Sequence, residues 1–237
     1  MNDIKELELR IQKSANDSKS KILQRFFKTG KGEYGEGDIF LGIIVPEQRK
    51  IAKEFCNLNN DELEKLLDSE IHEKRLIALL ILINKFKKAD EKIKKEIFDL
   101  YLKKANENRI NNWDLVDLSS HQIVGGYLFD KDRSILYNLA NSSNLWEKRI
   151  SVISTFAFIR DNQFDDSLKI SKILLKDEHD LIHKAVGWML REIGKRNQKI
   201  LENFLKERYG EMPRTMLRYA IEKFDEEKRK EYLNGEM

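Results

Sequence analysis

The amino-acid sequence predicts an all-α protein, a right-handed α-solenoid of stacked antiparallel helix pairs lining a concave basic groove. Three observations predict it. The 237 residues are 41% hydrophobic and 36% charged but include only 2 prolines and 11 glycines, a composition suited to charged helices and not to a turn-rich β-sandwich. Apolar residues recur at helical spacing along most of the chain. Long amphipathic segments return at intervals of about 35–40 residues with more polar helices between them, the mark of helix pairs stacked as HEAT-like repeats. Tetratricopeptide repeats have a similar period, but their Gly-x-x-Tyr and Pro signatures are missing. No linker or low-complexity segment interrupts the sequence, so it reads as a single HEAT-like repeat domain over 1–237.

The elements follow in order. Residues 3–15 and 18–28 carry apolar positions at helical spacing: Ile4, Leu7 and Ile11, then Ile22, Leu23, Phe26 and Phe27. Five glycines then fall within TGKGEYGEGDIFLGI, which reads as a Gly-rich loop or hairpin at 29–43. It contains a literal G-x-G-x-x-G, but a dinucleotide site needs a strand before that motif and a helix after it. Here a helix precedes it, and Glu33, Glu36 and Asp38 would repel phosphate. Pro46 suits the first turn of a helix running to about Cys56, since its missing N–H is not needed there. Asn59 and Glu62 form a capping pattern ahead of a helix over 61–67. The apolar helices are expected over 72–86, 111–127, 146–160, 183–195 and 213–224. Polar ones lie between them at 90–105, 132–140, 165–175 and 198–209, and a short helix closes the chain. The anchors Arg75, Trp113, Arg149, Lys184 and Arg214 step by 38, 36, 35 and 30 residues.

Composition narrows the function. A net charge of +3 permits nucleic-acid binding without demanding it. One cysteine, Cys56, allows no internal disulfide and fits a cytoplasmic protein. The first residues lack the apolar core of a signal peptide, and no apolar run is long enough to span a bilayer. His72, His121, His179 and His183 have no metal-ligand spacing, and no P-loop, zinc-ribbon or G-x-S-x-G pattern occurs. No metal and no cofactor are expected.

The chain is organised around NNWDLVDLSSHQIVGGY, residues 111–127. Asn111 or Asn112 can cap this helix, and Asp114 falls in its first turn, where the helix dipole favours a carboxylate. Asp117 follows Trp113 by one turn, so indole and carboxylate share a face. Read alone, the pair also fits a core Trp and a solvated or salt-bridged acid. In a solenoid the starts of the inner helices lie side by side. That would gather Lys74 and Arg75, Trp113 and Asp117, Lys148 and Arg149, Lys184 and Trp188, and Arg214 and Arg218 on one surface, a basic groove for a polyanion unless the bases merely cap helices or pair with acids.

One acid among aromatic and basic groups suits cleavage of a glycosidic bond whose leaving group already carries positive charge. Such a leaving group needs little protonation; the cationic sugar formed as the bond breaks needs a fixed carboxylate. Indole faces attract a cation for about 0.5–2 kcal/mol each.

The segments NNWDLVD, LWEKRISVI and HKAVGWMLREIGK resemble the AlkD-type DNA alkylpurine glycosylases, which are built of HEAT-like repeats and act in DNA alkylation repair. The resemblance spans roughly residues 20–225 and is most specific in W-D-x-V-D and K-A-x-G-W-x-L-R-E. It implies a solenoid that wraps double-stranded DNA and hydrolyses the N-glycosidic bond of cationic N3- and N7-alkylated purines without flipping the base into a pocket. By resemblance Asp117 is the catalytic carboxylate, Trp113 and Trp188 contact the lesion sugar, and Arg149 holds the nearby phosphate. Lys148, Lys184, Arg191, Arg214 and Arg218 would meet the DNA backbone. The protein would be a monomer, associated with the nucleoid through its DNA. The Gly-rich KTGKGEYGEGD departs from the family pattern, with Tyr34 as the aromatic of that region. The other functions open to such a fold are a non-catalytic binder of branched or distorted DNA and a helical protein-binding scaffold.

Overall fold

The computed structural model describes residues 3–236. Met1 and Asn2 of the N-terminal amphipathic stretch and Met237 of the closing segment lie outside the described residues. The fold is all-α: among the described residues no strand forms, only one isolated bridge between Ile39 and Ile71. Two compact units divide the chain, one up to Ser119 and the other from Ser120.

In the first unit, α1 (Ile4–Ser14) and α2 (Asp17–Phe26) open at Asp3 and Asn16, whose side-chain oxygens accept the Glu6 and Lys19 N–H groups at 2.9 Å. α3 (Val45–Glu54) carries Pro46 in its first turn. α4 (Asn60–Leu67) closes the expected capping box, Asn59 and Glu62 each accepting the other's N–H at 2.9 Å. α5 (His72–Phe86) buries twelve of its fifteen residues and is the core of the unit. α3, α4 and α6 (Glu91–Asn106) pack around it. A helix apolar on nearly every side has to be enclosed in this way, and each Leu or Ile so withdrawn from water contributes about 1.5–3 kcal/mol.

α7 (Trp113–Tyr127) begins where expected, with the Asn112 side chain accepting the Trp113 N–H at 2.9 Å. Its Ser119 ends the first unit and its Ser120 begins the second. The second unit continues with α8 (Ser134–Ala140) and α9 (Leu145–Ser154), which pack on each other. Then come α10 (Phe156–Ile159), α11 (Asp165–Ile173), α12 (Asp180–Arg196), α13 (Gln198–Arg208), α14 (Arg214–Ala220) and α15 (Glu226–Asn234). α12 is the centre of this unit, touching α9, α10, α11, α13 and α14. It meets α14 so closely that a Cβ on Gly187 would press on the Met216 carbonyl and Tyr219.

Two expectations need correction. The apolar run over 146–160 is not one helix. At Thr155 the N–H turns to the Val152 carbonyl three residues back, and the hydroxyl bonds the same oxygen at 2.6 Å, which separates α9 from α10. The last apolar segment is helical only to Ala220, not to 224.

The Gly-rich segment is a loop and not a hairpin, and it is held down by acids. Gly30 and Gly32 donate their N–H groups to Glu33 and Glu36 at 2.8 and 2.7 Å. Farther on, the Glu73 carboxylate at the start of α5 accepts the N–H groups of Leu41, Gly42 and Ile43 at 2.9–3.2 Å. Gly42 is required there: its φ is +82°, and a Cβ would overlap the Asn16 carbonyl.

Candidate active site

α2, the loop after it, α3, α5 and α7 enclose a pocket of about 390 Å³ in the first unit. Its walls are almost wholly apolar, formed by Leu23, Phe26, Phe27, Phe40, Ile43, Ile44, Val45 and Leu118. The polar exceptions are Gln48, His72, Asp114 and Asp117, beside the indole of Trp113. Trp113 and Asp117 are both half-buried and sit one turn apart on α7, so the structure brings together the aromatic and the acid singled out in the sequence.

The indole is fixed by rings. Phe27 stacks on it at 5.2 Å and 13°, and Phe26 meets it edge-on at 6.0 Å. Phe27 also stacks on Phe40 at 4.8 Å. α2 buries none of its own residues, and Phe26 is 61% exposed, leaving an aromatic edge at the pocket mouth. The aromatics of the N-terminal region at this site are therefore Phe26, Phe27 and Phe40. Tyr34 is half-buried and is not among the lining residues.

Beneath the pocket lies a buried charge cluster. His72 bridges two carboxylates, with Nδ1 3.0 Å from Asp38 Oδ2 and Nε2 2.9 Å from Asp114 Oδ2. Arg75 donates to Asp38 Oδ1 at 2.6 Å, to the Ser69 carbonyl at 2.8 Å and to Asn111 Oδ1 at 3.1 Å. Asn112 adds a bond to Asp38 Oδ2 at 3.2 Å. Burial works against a charged imidazole, but the Asp114 charge and the hydrogen bonds to both carboxylates outweigh it and hold the His72 pKa up at about 9. Asp38 is likewise held below the usual carboxylate range: burial opposes this, and His72 and Arg75 prevail. Asp114 thus has a specific partner beyond the helix dipole.

This cluster corrects the reading of Arg75 as a groove residue. Arg75 is 2% exposed and committed to Asp38, while Lys74 pairs with Glu8 at 2.8 Å. A lone acid in a Gly-rich loop and a lone base at a helix start gave no sign of each other across 37 residues. On α6, Tyr101 donates to or accepts from Ser119 at 2.9 Å, and burial above all, with a smaller push from Asp117, raises its phenol well above the ordinary value.

The other sequence-derived residues belong to the second unit. Arg149 on α9 is 4% exposed and donates to the Leu181 carbonyl. Trp188 on α12 is half-buried; its indole N–H reaches Glu192 at 3.3 Å and its ring lies 6.0 Å from Phe156. Lys148 pairs with Asp177 at 2.7 Å, Lys184 with Asp180 at 2.6 Å, and Arg191 with Glu222. Arg214 and Arg218, in the first and last turns of α14, are exposed, and their side chains form no ion pair or hydrogen bond among the described residues.

A family model described as DNA alkylation repair enzyme matches residues 7–224. The chain belongs to that family. DNA alkylation repair enzymes act on alkylated DNA, so this chain is an enzyme of DNA repair and DNA is its partner. A solved structure titled as a predicted DNA alkylation repair enzyme from Enterococcus faecalis is similar in fold, with a TM-score of 0.68 and 17% identity, covering 90% of this chain and 98% of that one. No curated protein matches the sequence. In this chain Trp113 and Asp117 line one apolar pocket, where an acid and an aromatic face meet.

Proposed function

We propose that the chain is a monofunctional DNA glycosylase that hydrolyses the N-glycosidic bond of cationic N3- and N7-alkylated purines in duplex DNA. The observation that carries this reading is the placement of Asp117 and Trp113, one turn apart on a rigid helix and on the wall of one apolar pocket.

The alkylated purine is already cationic, so the C1′–N bond can break with its electron pair passing to the base nitrogen, which leaves neutral. Positive charge then develops on the sugar. The Asp117 carboxylate, beside apolar walls that keep the local dielectric low, stabilises that charge. The Trp113 face adds an attraction of about 0.5–2 kcal/mol for a cation. Water, directed by the same carboxylate, then adds to C1′ through its oxygen, and its proton passes to Asp117 and on to solvent. In the same reading, which follows the family resemblance, Trp188 contacts the sugar, Arg149 holds the adjoining phosphate, and Lys148, Lys184, Arg191, Arg214 and Arg218 meet the backbone.

The test is release of free base from duplex DNA carrying N7-methylguanine, with Asp117→Asn alongside. Release by the parent and none by the variant supports the reading. A folded parent protein that binds this DNA and releases nothing overturns it in favour of a non-catalytic binder of distorted DNA.

A further inference from the structure

We propose that His72 is the positioning residue of this site: as a cation bridging Asp38 and Asp114, it locks the first turn of α7 to the loop and shields Asp117 from the Asp114 charge. This deepens the glycosylase reading and rests on it.

The geometry fixes the charge. Both ring nitrogens of His72 face carboxylate oxygens, at 3.0 and 2.9 Å. An ionised carboxylate only accepts, so both nitrogens must carry hydrogen, and the ring is an imidazolium. Asp38 also accepts from Arg75 and Asn112, which favour its ionised form, and Asp114 accepts the Leu115 N–H at 2.8 Å. The cluster of His72, Arg75, Asp38 and Asp114 is therefore neutral, two cations against two anions, in a setting where an unpaired charge is costly.

His72, Asp114 and Asp117 are the titratable groups lining the pocket. Asp114 and Asp117 are three residues apart on α7 and share its pocket face. Among the described residues, further charged or titratable groups near His72 and Asp117 include Asp38 on the loop, Glu73 and Arg75 on α5, and the Tyr101 hydroxyl on α6. Glu73 is engaged with the loop N–H groups, and Arg75 with Asp38. Removing the imidazolium leaves the Asp114 carboxylate one turn from Asp117 without its cation. A like charge at that distance raises the pKa of Asp117. Ring packing adds a mechanical role, since the imidazole stacks on Phe40 at 4.4 Å and lies 5.1 Å from Phe27, the ring that backs Trp113.

The experiment has two arms. In the first, base release from N7-methylguanine DNA is followed against pH for the parent, His72→Gln, and His72→Gln combined with Asp114→Asn. We expect the acid limb of His72→Gln to move up by about one pH unit and the double variant, neutral again, to return to the parental limb. A merely structural His72 would leave the double variant no better than the single one, and that result, or an unmoved limb in His72→Gln, overturns the inference. The second arm reads the lock without activity or mutation: nitrogen chemical shifts of His72 in the parent protein should remain those of an imidazolium at pH 7 and change only near pH 9. A neutral tautomer at pH 7 overturns the inference whether or not base is released. Survival of base release in Asp117→Asn would instead overturn the glycosylase mechanism and leave the imidazolium result standing.

Discussion

The Glu73 carboxylate holds the backbone N–H of Gly42 at 2.9 Å, and the same side chain takes the N–H groups of Leu41 and Ile43. Three donors of a loop that forms no sheet thus converge on one buried acid. Glu73→Ala strands them, and each buried donor without a partner costs about 1–3 kcal/mol. We expect a loss of at least about 3 kcal/mol in urea unfolding, together with loss of the Trp113 pocket that the loop walls. Gly42→Ala should destabilise comparably through its positive φ and the Asn16 carbonyl. Near-parental stability in both variants would refute this account of the loop.

Asp117→Asn is isosteric and tests charge alone. Removing a preorganised electrostatic group typically costs about 10²–10³-fold in rate. Half-burial at the rim of a pocket should keep the change in stability within about 1 kcal/mol. Single-turnover rates and thermal melts on the same preparations separate the two. A variant that has lost both activity and fold says nothing of catalysis, so the melt comes first.

His72 also predicts how stability depends on pH. Its folded pKa of about 9 lies above the ordinary histidine value of 6.5, so its stabilisation is complete below about pH 6.5 and is lost as pH rises through 9. The difference corresponds to roughly 3 kcal/mol. Urea midpoints of the parent should therefore fall between pH 6.5 and 9, and those of His72→Gln should fall much less. Parallel curves for the two proteins would remove His72 as the source.

Trp188 is only half-buried and has a polar partner in Glu192. Trp188→Ala should cost less stability than the 3–5 kcal/mol of a fully enclosed aromatic, and on the proposed mechanism it should lower base release. A stability loss at the upper end of that range with unchanged activity would make Trp188 a packing residue.

The basic residues should separate by their present engagements. Arg214 and Arg218 are exposed and without ion pairs among the described residues, whereas Lys148 and Lys184 are matched with Asp177 and Asp180. A phosphate contact released by mutation lowers the salt slope of DNA binding by about one. We expect that drop for Arg214→Ala and Arg218→Ala and a smaller one for Lys148→Ala and Lys184→Ala. Equal slopes for all four variants and the parent would take these residues off the DNA.

What the sequence revealed and what it hid follow from the range of each interaction. The capping box of Asn59 and Glu62, the Asn112 cap of α7 and the bounds of α5 depend on neighbours a few residues away, and all could be read. The pairing of Trp113 with Asp117 is also local, a matter of one helical turn. The cluster of Asp38, His72, Arg75 and Asp114 was illegible because its partners lie 34–42 residues apart along the chain and only tertiary folding joins them. Phe26 has the spacing of a core residue, yet α2 buries none of its own residues, and Phe26 stands exposed at the pocket mouth. Periodicity showed which side was apolar but not that this side borders a cavity.

The neutral quartet of two cations and two anions also bears on how such a protein can change over generations. Replacing any one of Asp38, His72, Arg75 or Asp114 strands a bare charge in the interior, a step that typically costs 3–5 kcal/mol, a large part of the 5–15 kcal/mol by which a domain is folded at all. Lineages can therefore leave this arrangement only by exchanging oppositely charged members together. The four positions should be inherited as a block, kept whole or replaced in matched pairs, while the surface acids and bases around them drift one at a time.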